Sequence, residues 1–270
     1  GGYIVAGCTY SFGAGSRDVY VLKLDADGNL QWQKTFGGSY PDEAFSIQQT
    51  SDGGYIVAGM TESFGAGRRD VYVLKLDADG NLQWEKTFGG SYSDEAFSIQ
   101  QTSDGGYIVA GYTWSFGTGH YDVYVVKLDA DGNLQWEKTF GGSTHDVAHS
   151  IQQTSDGGYI VAGYTESFGA GYHDVYVLKL DADGDLQWEK TFGGSDYELA
   201  FSIQQTSDGG YIVAGYTWSS GYHDVYVLKL DANGNKVWER TFGGSDDDIA
   251  FSIQQTSDGG YIVAGMTESF

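Results

Sequence analysis

Cysteine and proline are almost missing from this chain, and basic residues are scarce. Its 270 residues include one Cys (Cys8) and one Pro (Pro41), so no intrachain disulfide can form. The 14 Lys and Arg residues are outnumbered by 37 Asp and Glu residues, which gives a formal net charge of −23. Such a surface repels phosphate backbones, so the composition argues against nucleic-acid binding. Apolar runs last only a few residues, which argues against membrane insertion.

Glycine and aromatic residues are abundant instead, and they recur at a fixed period. The phrase Gly-Gly-Tyr-Ile-Val-Ala-Gly begins at residues 1, 53, 105, 157, 209 and 259, in steps of 52, 52, 52, 52 and 50 residues. Such a period predicts a repeat architecture. We expect a single domain over residues 1–270, with units starting near residues 1, 53, 105, 157 and 209 and a partial copy at 259–270. We also expect the segment to be an excerpt of a longer protein.

Each unit contains four short segments rich in strand-forming residues. In the second copy the segments span 44–50, 55–58, 71–76 and 82–88. A turn sequence at 51–54 separates the first two segments, and another at 77–81 separates the last two. No helical period lasts for ten residues, so the sequence predicts antiparallel sheets. Apolar residues occupy both alternating sets of strand positions, which predicts sheets that are covered on both faces.

Four-stranded repeats of about 40–50 residues, each packed between two others, are typical of a β-propeller. A linear β-solenoid is the alternative, although its coils are usually shorter and parallel. Residues 76–84, Leu-Asp-Ala-Asp-Gly-Asn-Leu-Gln-Trp, resemble the blade signature of pyrroloquinoline-quinone-type propellers. The whole unit is similar to highly repetitive propeller proteins that bacteria and archaea secrete. The resemblance implies an all-β propeller and export from the cell.

Five blades are expected. Closing the ring requires residues 249–256 to pair with residues 3–6, which leaves the segment 261–264 surplus. The alternative is a larger ring of which this chain forms a segment.

The copies differ mainly on one face of the predicted propeller. Antiparallel order places the turns between strands one and two and between strands three and four on one face. These turns barely change between copies, whereas the loops between strands two and three and the connectors between blades vary. We call the second set the variable rim. It comprises loops 8–17, 60–69, 112–121, 164–173 and 216–223, and connectors 40–42, 92–94, 144–146, 196–198 and 246–248.

Tyr, Trp, His and Arg at variable loop tips are typical of a recognition surface. Drift at unconstrained positions is the alternative, but it usually introduces Ser, Lys, Asn and Glu. Aromatic faces stack on sugar rings, so a carbohydrate or a protein is the expected ligand. The candidate ligand-binding residues are Tyr10, Arg17, Arg69, Trp114, His120, Tyr121, Tyr172, His173, Trp218, Tyr222 and His223.

Acidic residues recur on the same rim. The favoured interpretation is that the Asp preceding strand three caps loop amides. The alternative is a carboxylate ring that binds calcium, although no cofactor is predicted. The residues concerned are Asp18, Asp70, Asp122, Asp174 and Asp224, with Asp42, Asp94, Asp146 and Asp248. The Asp-Ala-Asp-Gly-Asn segments lack EF-hand spacing and are predicted to be hairpin turns.

One Trp and one Lys also recur at equivalent positions of the repeat. The Trp residues of strand four are predicted to pack between blades. The Trp and Lys residues are Trp32, Trp84, Trp136, Trp188 and Trp238, and Lys23, Lys75, Lys127, Lys179 and Lys229. Fivefold repetition makes a catalytic role for any one Lys improbable.

The sequence contains no nucleophile elbow, phosphate loop or zinc-spaced histidine pair. Because its features are repeated, we predict that the chain is not an enzyme. The predicted function is an extracellular or cell-surface binding module that uses the variable rim. The alternative is a structural spacer in a surface or adhesive assembly, which would self-associate.

Overall fold

The computed structural model describes residues 1–219 and 221–269, in which every regular element is a β-strand. The chain divides into two compact units, Gly1–Gly117 with Val123–Thr139 and Thr118–Asp122 with Phe140–Phe270. No helix in the described residues is long and apolar enough to cross a membrane. The strands are β1 (Tyr3–Thr9), β2 (Asp18–Leu24), β3 (Leu30–Phe36), β4 (Asp42–Gln49), β5 (Tyr55–Thr61), β6 (Asp70–Leu76), β7 (Leu82–Phe88), β8 (Asp94–Gln101), β9 (Tyr107–Thr113), β10 (Asp122–Leu128), β11 (Leu134–Phe140), β12 (Asp146–Gln153), β13 (Tyr159–Thr165), β14 (Asp174–Leu180), β15 (Leu186–Phe192), β16 (Glu198–Gln205), β17 (Tyr211–Ser219), β18 (Tyr222–Leu230), β19 (Lys236–Phe242), β20 (Asp248–Gln255) and β21 (Tyr261–Thr267).

The strands form sheets whose members follow one another in the chain. Four sheets have four strands each: β4–β7, β8–β11, β12–β15 and β16–β19. The sheet β1–β3 has three strands, and β20–β21 has two. The 21 strands therefore amount to about five blades, and the predicted four-stranded antiparallel repeat is confirmed.

Short turns with fixed chemistry join the strands. Between β4 and β5, Asp52 Oδ1 accepts a hydrogen bond from Gly54 N at 2.9 Å, and Gly53 adopts a φ of 85°. Between β6 and β7, Asp77 Oδ1 accepts hydrogen bonds from Asp79 N at 2.9 Å and from the Asn81 amide at 2.8 Å. The Asp-Ala-Asp-Gly-Asn segment is thus a hairpin turn, as predicted, because its carboxylate is bonded to its own backbone.

Aromatic side chains connect successive sheets within each unit. Trp84 of β7 packs on a buried cluster formed by its own sheet and the next one, with its ring 5.8 Å from that of Tyr107. The same pair recurs as Trp32–Tyr55, Trp188–Tyr211 and Trp238–Tyr261. Each such contact buries a large apolar area and favours an edge-to-face geometry. The predicted role of these tryptophans in packing is confirmed for these four pairs.

The predicted pairing at the chain ends is wrong. In the part of the chain that the structure describes, residues 249–255 lie in β20, which pairs with β21, and Gln255 lies opposite Tyr261. Among the described strands, β1 pairs only with β2. The segments 3–7 and 261–265 have the same sequence, but β21 follows β20 after a tight turn. Closing so short a loop costs less entropy than joining distant ends, which favours the local pair.

Candidate functional site

The variable rim is organised by hydrogen bonds between loops and connectors. In the first unit, Asp94 N donates to Arg69 O at 2.8 Å, and Trp114 N donates to Ser93 O at 2.9 Å. Each connector therefore lies between the loops of two successive sheets. The second unit repeats this pattern with Glu198 N to His173 O at 2.9 Å and Trp218 N to Tyr197 O at 2.7 Å. The predicted sharing of one face by loops and connectors is confirmed within each unit.

Buried carboxylates fix the rim backbone. Asp70 Oδ2 accepts a hydrogen bond from Gly67 N at 2.8 Å, which confirms the predicted capping role. Asp94 Oδ2 accepts from Gly90 N at 2.8 Å and from the Ser115 hydroxyl at 2.6 Å. Burial raises the pKa of Asp70. Among the described residues, no group of three or more His, Cys, Asp or Glu side chains is arranged to hold a metal ion.

The two candidate ligand-binding arginines of the first unit form ion pairs with carboxylates. The Arg17 guanidinium lies 5.8 Å from the Tyr10 ring, and its Nη1 is 2.5 Å from Glu43 Oε1. Arg69 is bound on two sides, by Glu62 Oε1 at 3.0 Å and by Glu95 Oε1 at 2.7 Å. The Glu95 hydrogen bond raises the pKa of Arg69 further above its usual value. These arginines position neighbouring rim segments.

Trp114 presents an aromatic surface in the first unit. Its ring centroid lies 5.4 Å from that of Tyr92 in the preceding connector, and both rings are exposed. The connector tyrosines Tyr40 and Tyr92 were not among the predicted ligand-binding residues, although they are 63% and 54% exposed. The variation of the connector sequences was the signal that could have identified them.

A histidine cluster occupies the rim of the second unit. His120 stacks on His145 at 5.1 Å, and the Tyr121 ring meets His145 edge-on at 4.7 Å. His145 Nδ1 donates to Glu166 Oε2 at 2.9 Å, and His173 Nε2 donates to Glu166 Oε1 at 2.9 Å. Burial would raise the pKa of Glu166, but the hydrogen bonds and charge of both imidazoles lower it. Glu166 thus holds its own loop, through His173, to the connector residue His145.

Two tyrosines form a stacked platform beside this cluster. The rings of Tyr172 and Tyr197 are 5.1 Å apart with an interplanar angle of 9°. Tyr172 is 66% exposed and Tyr197 is 37% exposed. The His173 ring meets Tyr197 edge-on at 4.9 Å and supports the platform from the side.

The strands that flank the fifth loop are longer than those of the other copies. Because this loop is two residues shorter, β17 and β18 extend until Trp218 lies opposite His223 and Ser219 lies opposite Tyr222. The His223 ring contacts Trp218 at 4.7 Å, and its Nδ1 lies 3.0 Å from Asp247 Oδ1. Trp218 and Tyr222 remain exposed. His173 contacts Tyr197 and His223 contacts Asp247, so each histidine touches the connector that follows its loop.

One substitution outside the variable rim creates a pH-sensitive position. His149 in β12 stands where the other copies have Phe45, Phe97, Phe201 and Phe251. Its ring lies 5.1 Å from that of Phe201, and burial lowers the pKa of His149 to about 4. Protonation therefore favours the unfolded chain, in which the pKa is near 6.5.

We expect H149F to remove this sensitivity. The wild-type chain should lose roughly 3 kcal/mol from this residue as the pH falls from above 6.5 through about 4. Denaturant unfolding of both proteins at several pH values measures the difference. The stability gain of H149F should grow as the pH falls, and a gain that does not depend on pH would contradict the burial of a neutral imidazole.

The fold and its repeated rim define a β-propeller protein, and comparison with known proteins agrees. The family model described as "Outer membrane protein assembly factor BamB" matches residues 17–265, and the chain belongs to this family. A second model, described as a β-propeller domain of unknown function, matches residues 1–30. The predicted resemblance to quinone-type propeller repeats is thereby confirmed.

Two solved structures share the fold at low identity, and one further protein is similar in sequence. The WD40 domain of Neurospora crassa Pan2 superposes with a TM-score of 0.55 at 13% identity, over 92% of this chain and 68% of that one. The periplasmic gluconolactonase PpgL of Pseudomonas aeruginosa gives a TM-score of 0.50 at 15% identity, over 97% and 88%. Regulatory protein FlaEY of Caulobacter vibrioides is 28% identical over 178 residues, which are 57% of this chain. The matched segment spans 18% of that protein.

The prediction that the chain is not an enzyme is corrected by this comparison. A gluconolactonase is an enzyme, and its fold matches 97% of this chain. The prediction depended on the repetition of the blades, but a propeller can host catalysis because a few substitutions can make one blade different from the others. Fivefold repetition is therefore no argument against an active site.

Proposed function

We propose that this chain is an interaction module of the bacterial cell envelope that binds a protein or glycan partner through its variable rim. The observation that carries this proposal is the distribution of exposed aromatic residues. Apart from Tyr3, every exposed Tyr or Trp lies on the variable rim: Tyr10, Tyr40, Tyr92, Trp114, Tyr172, Tyr197, Trp218 and Tyr222. Tyr and Trp are enriched where proteins bind partners, because their rings bury much apolar area and lose little conformational entropy.

The geometry of the rim supports this function. Arg69 and Glu166 are each held by two ionic or hydrogen-bonded partners, so the backbone beneath the aromatic residues is fixed before a partner arrives. Preorganised side chains lose less entropy on binding. The cell-envelope location is supported by the family description, which names an outer-membrane assembly factor. The predicted carbohydrate ligand is supported by platforms such as Tyr172–Tyr197.

Alanine at both Trp114 and Trp218 tests the proposal. The immobilised chain is probed on a glycan array and with solubilised envelope proteins, beside the control D27N/D79N on the opposite face. We expect W114A/W218A to weaken specific binding by about tenfold or more, because exposed aromatic anchors dominate interface energies. The control should bind as the wild type does. Equal binding by all three proteins, at matched melting temperatures, would contradict a role for the rim.

A structural spacer is the second proposed function, and it predicts a different result. Sedimentation of the same three proteins would then show self-association without any ligand. The area of exposed aromatic surface on the rim supports this alternative as well, since such surface also drives contact between copies.

A further inference from the structure

A Phe of the rim loop occupies the same place in the first four copies. It packs on the Tyr of strand three, with ring centroids 5.7 to 5.9 Å apart. The pairs are Phe12–Tyr20, Phe64–Tyr72, Phe116–Tyr124 and Phe168–Tyr176. In the first unit the ring also reaches the preceding sheet, since a Cβ built on Gly38 would lie 3.3 Å from Phe64 Cζ. The same distance separates a Cβ on Gly90 from Phe116 Cζ. The ring therefore fills a groove between two successive sheets.

The backbone of this Phe is held by a buried Thr. Phe64 N donates to Thr61 Oγ1 at 3.2 Å, and Phe168 N donates to Thr165 Oγ1 at 3.1 Å. Both threonines are 0% exposed. Each groove thus receives an aromatic ring and the amide of the same residue together.

The fifth copy has the same kind of groove but no Phe to place in it. Its loop, Trp218-Ser-Ser-Gly-Tyr222, contains no Phe. A cavity of about 650 Å³ lies here, whereas the grooves lined by Phe64 and Phe116 measure about 440 and 370 Å³. Its lining includes Phe192, Gly194, Thr217, Tyr226 and Glu239.

Two observations place the open space where the Phe ring lies in the other copies. Among the residues that the structure describes, no atom lies within 4 Å of a Cβ built on Gly194, whereas the corresponding Gly38 faces Phe64. Thr217 is partly exposed, whereas the corresponding Thr61 is fully buried. The cavity therefore extends over the two groups that a Phe contacts elsewhere in the repeat.

Hydrogen bonds fix the walls of this cavity. Tyr226 donates its hydroxyl proton to Glu239 Oε2 at 2.5 Å. Glu198 is 5% exposed, and it accepts hydrogen bonds from Gly194 N at 2.8 Å and from the Thr217 hydroxyl at 2.7 Å. Because these bonds form without a Phe, the walls keep a shape that can receive a ring.

We propose that this cavity binds a phenylalanine side chain that a partner protein presents on a turn. The ring packs against Phe192 and Tyr226, since aromatic rings favour tilted contacts with one another. The Thr217 hydroxyl gives its proton to Glu198, so its oxygen accepts the backbone N–H of the incoming Phe. This polar contact favours a peptide over a free aromatic molecule. Four grooves of the same chain hold a Phe, which identifies the occupant.

A peptide that copies the fourth loop tests the proposal. The probe is Thr-Glu-Ser-Phe-Gly-Ala-Gly, residues 165–171 with blocked ends, and its control has Ser in place of Phe. Both are titrated into the whole chain and followed by NMR. We expect the Phe peptide to bind at least about tenfold more tightly, because it alone buries an aromatic ring. The exposed Tyr and Trp residues of the proposed partner surface do not line this cavity, so each proposal can fail without the other.

Two variants change the number of open grooves. Replacement of residues 218–223 by residues 166–173 restores the Phe and should abolish peptide binding. F64S should open the corresponding groove of the second copy and raise the stoichiometry from one peptide to two. Melting temperatures verify that both variants fold. Equal affinity for the two peptides, full binding after the loop replacement, unchanged stoichiometry in F64S, or no binding of the Phe peptide at about 10 mM would each overturn the proposal.

Discussion

Alanine in place of Gly111 is expected to lower the free energy of unfolding by about 3 kcal/mol, whereas alanine in place of Gly7 should change it by less than about 0.5 kcal/mol. Both glycines occupy the same repeat position, in β9 and β1. A Cβ on Gly111 would overlap the Glu95 carbonyl oxygen and lie 2.8 Å from Ala96 Cα. These are backbone atoms, so no side-chain rotation relieves the overlap.

Gly7 provides the control because, among the residues that the structure describes, β1 pairs only with β2 and no heavy atom lies within 4 Å of a Cβ built on Gly7. Thermal unfolding measures both variants, and the melting temperature of G111A should fall by roughly 6–12 °C. The contact depends on an irregularity in β8, whose register shifts between Ala96 and Ser98. Equal melting temperatures for G111A and G7A would show that this part of β8 does not approach β9.

Asparagine in place of Asp52 is expected to lower the free energy of unfolding by roughly 3 kcal/mol, because it leaves the buried Lys75 ammonium without a counter-charge. Lys75 is 3% exposed, and its Nζ donates to Asp52 Oδ2 at 2.8 Å. The reverse variant K75M should cost less than about 1 kcal/mol, since the Asp52 side chain is 55% exposed and water can solvate its charge. Denaturant unfolding of both single variants and the double variant measures the coupling.

Acid should reproduce the effect of D52N in the wild-type protein. Hydrogen bonds from Lys75 and Thr50 lower the pKa of Asp52 from 3.8 to about 2. Because the folded pKa is the lower one, the stabilisation is complete above the unfolded pKa and is lost as the pH falls toward 2. The stability difference between wild type and D52N should therefore shrink over that range. Should D52N and K75M be equally destabilised at neutral pH, the burial of the Lys75 charge would not be the cause.

The repeated parts of the structure could be predicted from the sequence because each depends on short-range chemistry. Asp70 precedes its strand by the spacing that lets a carboxylate cap the loop amides, and the structure shows this bond to Gly67. The packing of Trp84 followed from its recurrence in every copy and from the large apolar area of its ring. Both inferences need only local spacing and repetition.

The rim was only partly predictable. Its loops and connectors were identified from their variation, but Arg69 and His173 are tied to Glu62, Glu95 and Glu166. These partners lie up to 26 residues away in sequence. Which rim side chains are anchors and which are exposed depends on such pairs, so it could not be inferred from residue type alone. The connector tyrosines Tyr40 and Tyr92 were missed although the variation of the connector sequences could have identified them.

The sequence alone determined an all-β repeat of short antiparallel strands. It did so through the scarcity of proline and cysteine, the period-two alternation and the glycine turns. The physical reason is that these features act over a few residues and recur in every copy. Only the tertiary structure decided that β20 pairs with β21, and that Glu166 holds both His145 and His173. Those outcomes depend on which of several identical segments lies nearest and on which side chains meet between a loop and a connector, both of which exist only in the folded chain.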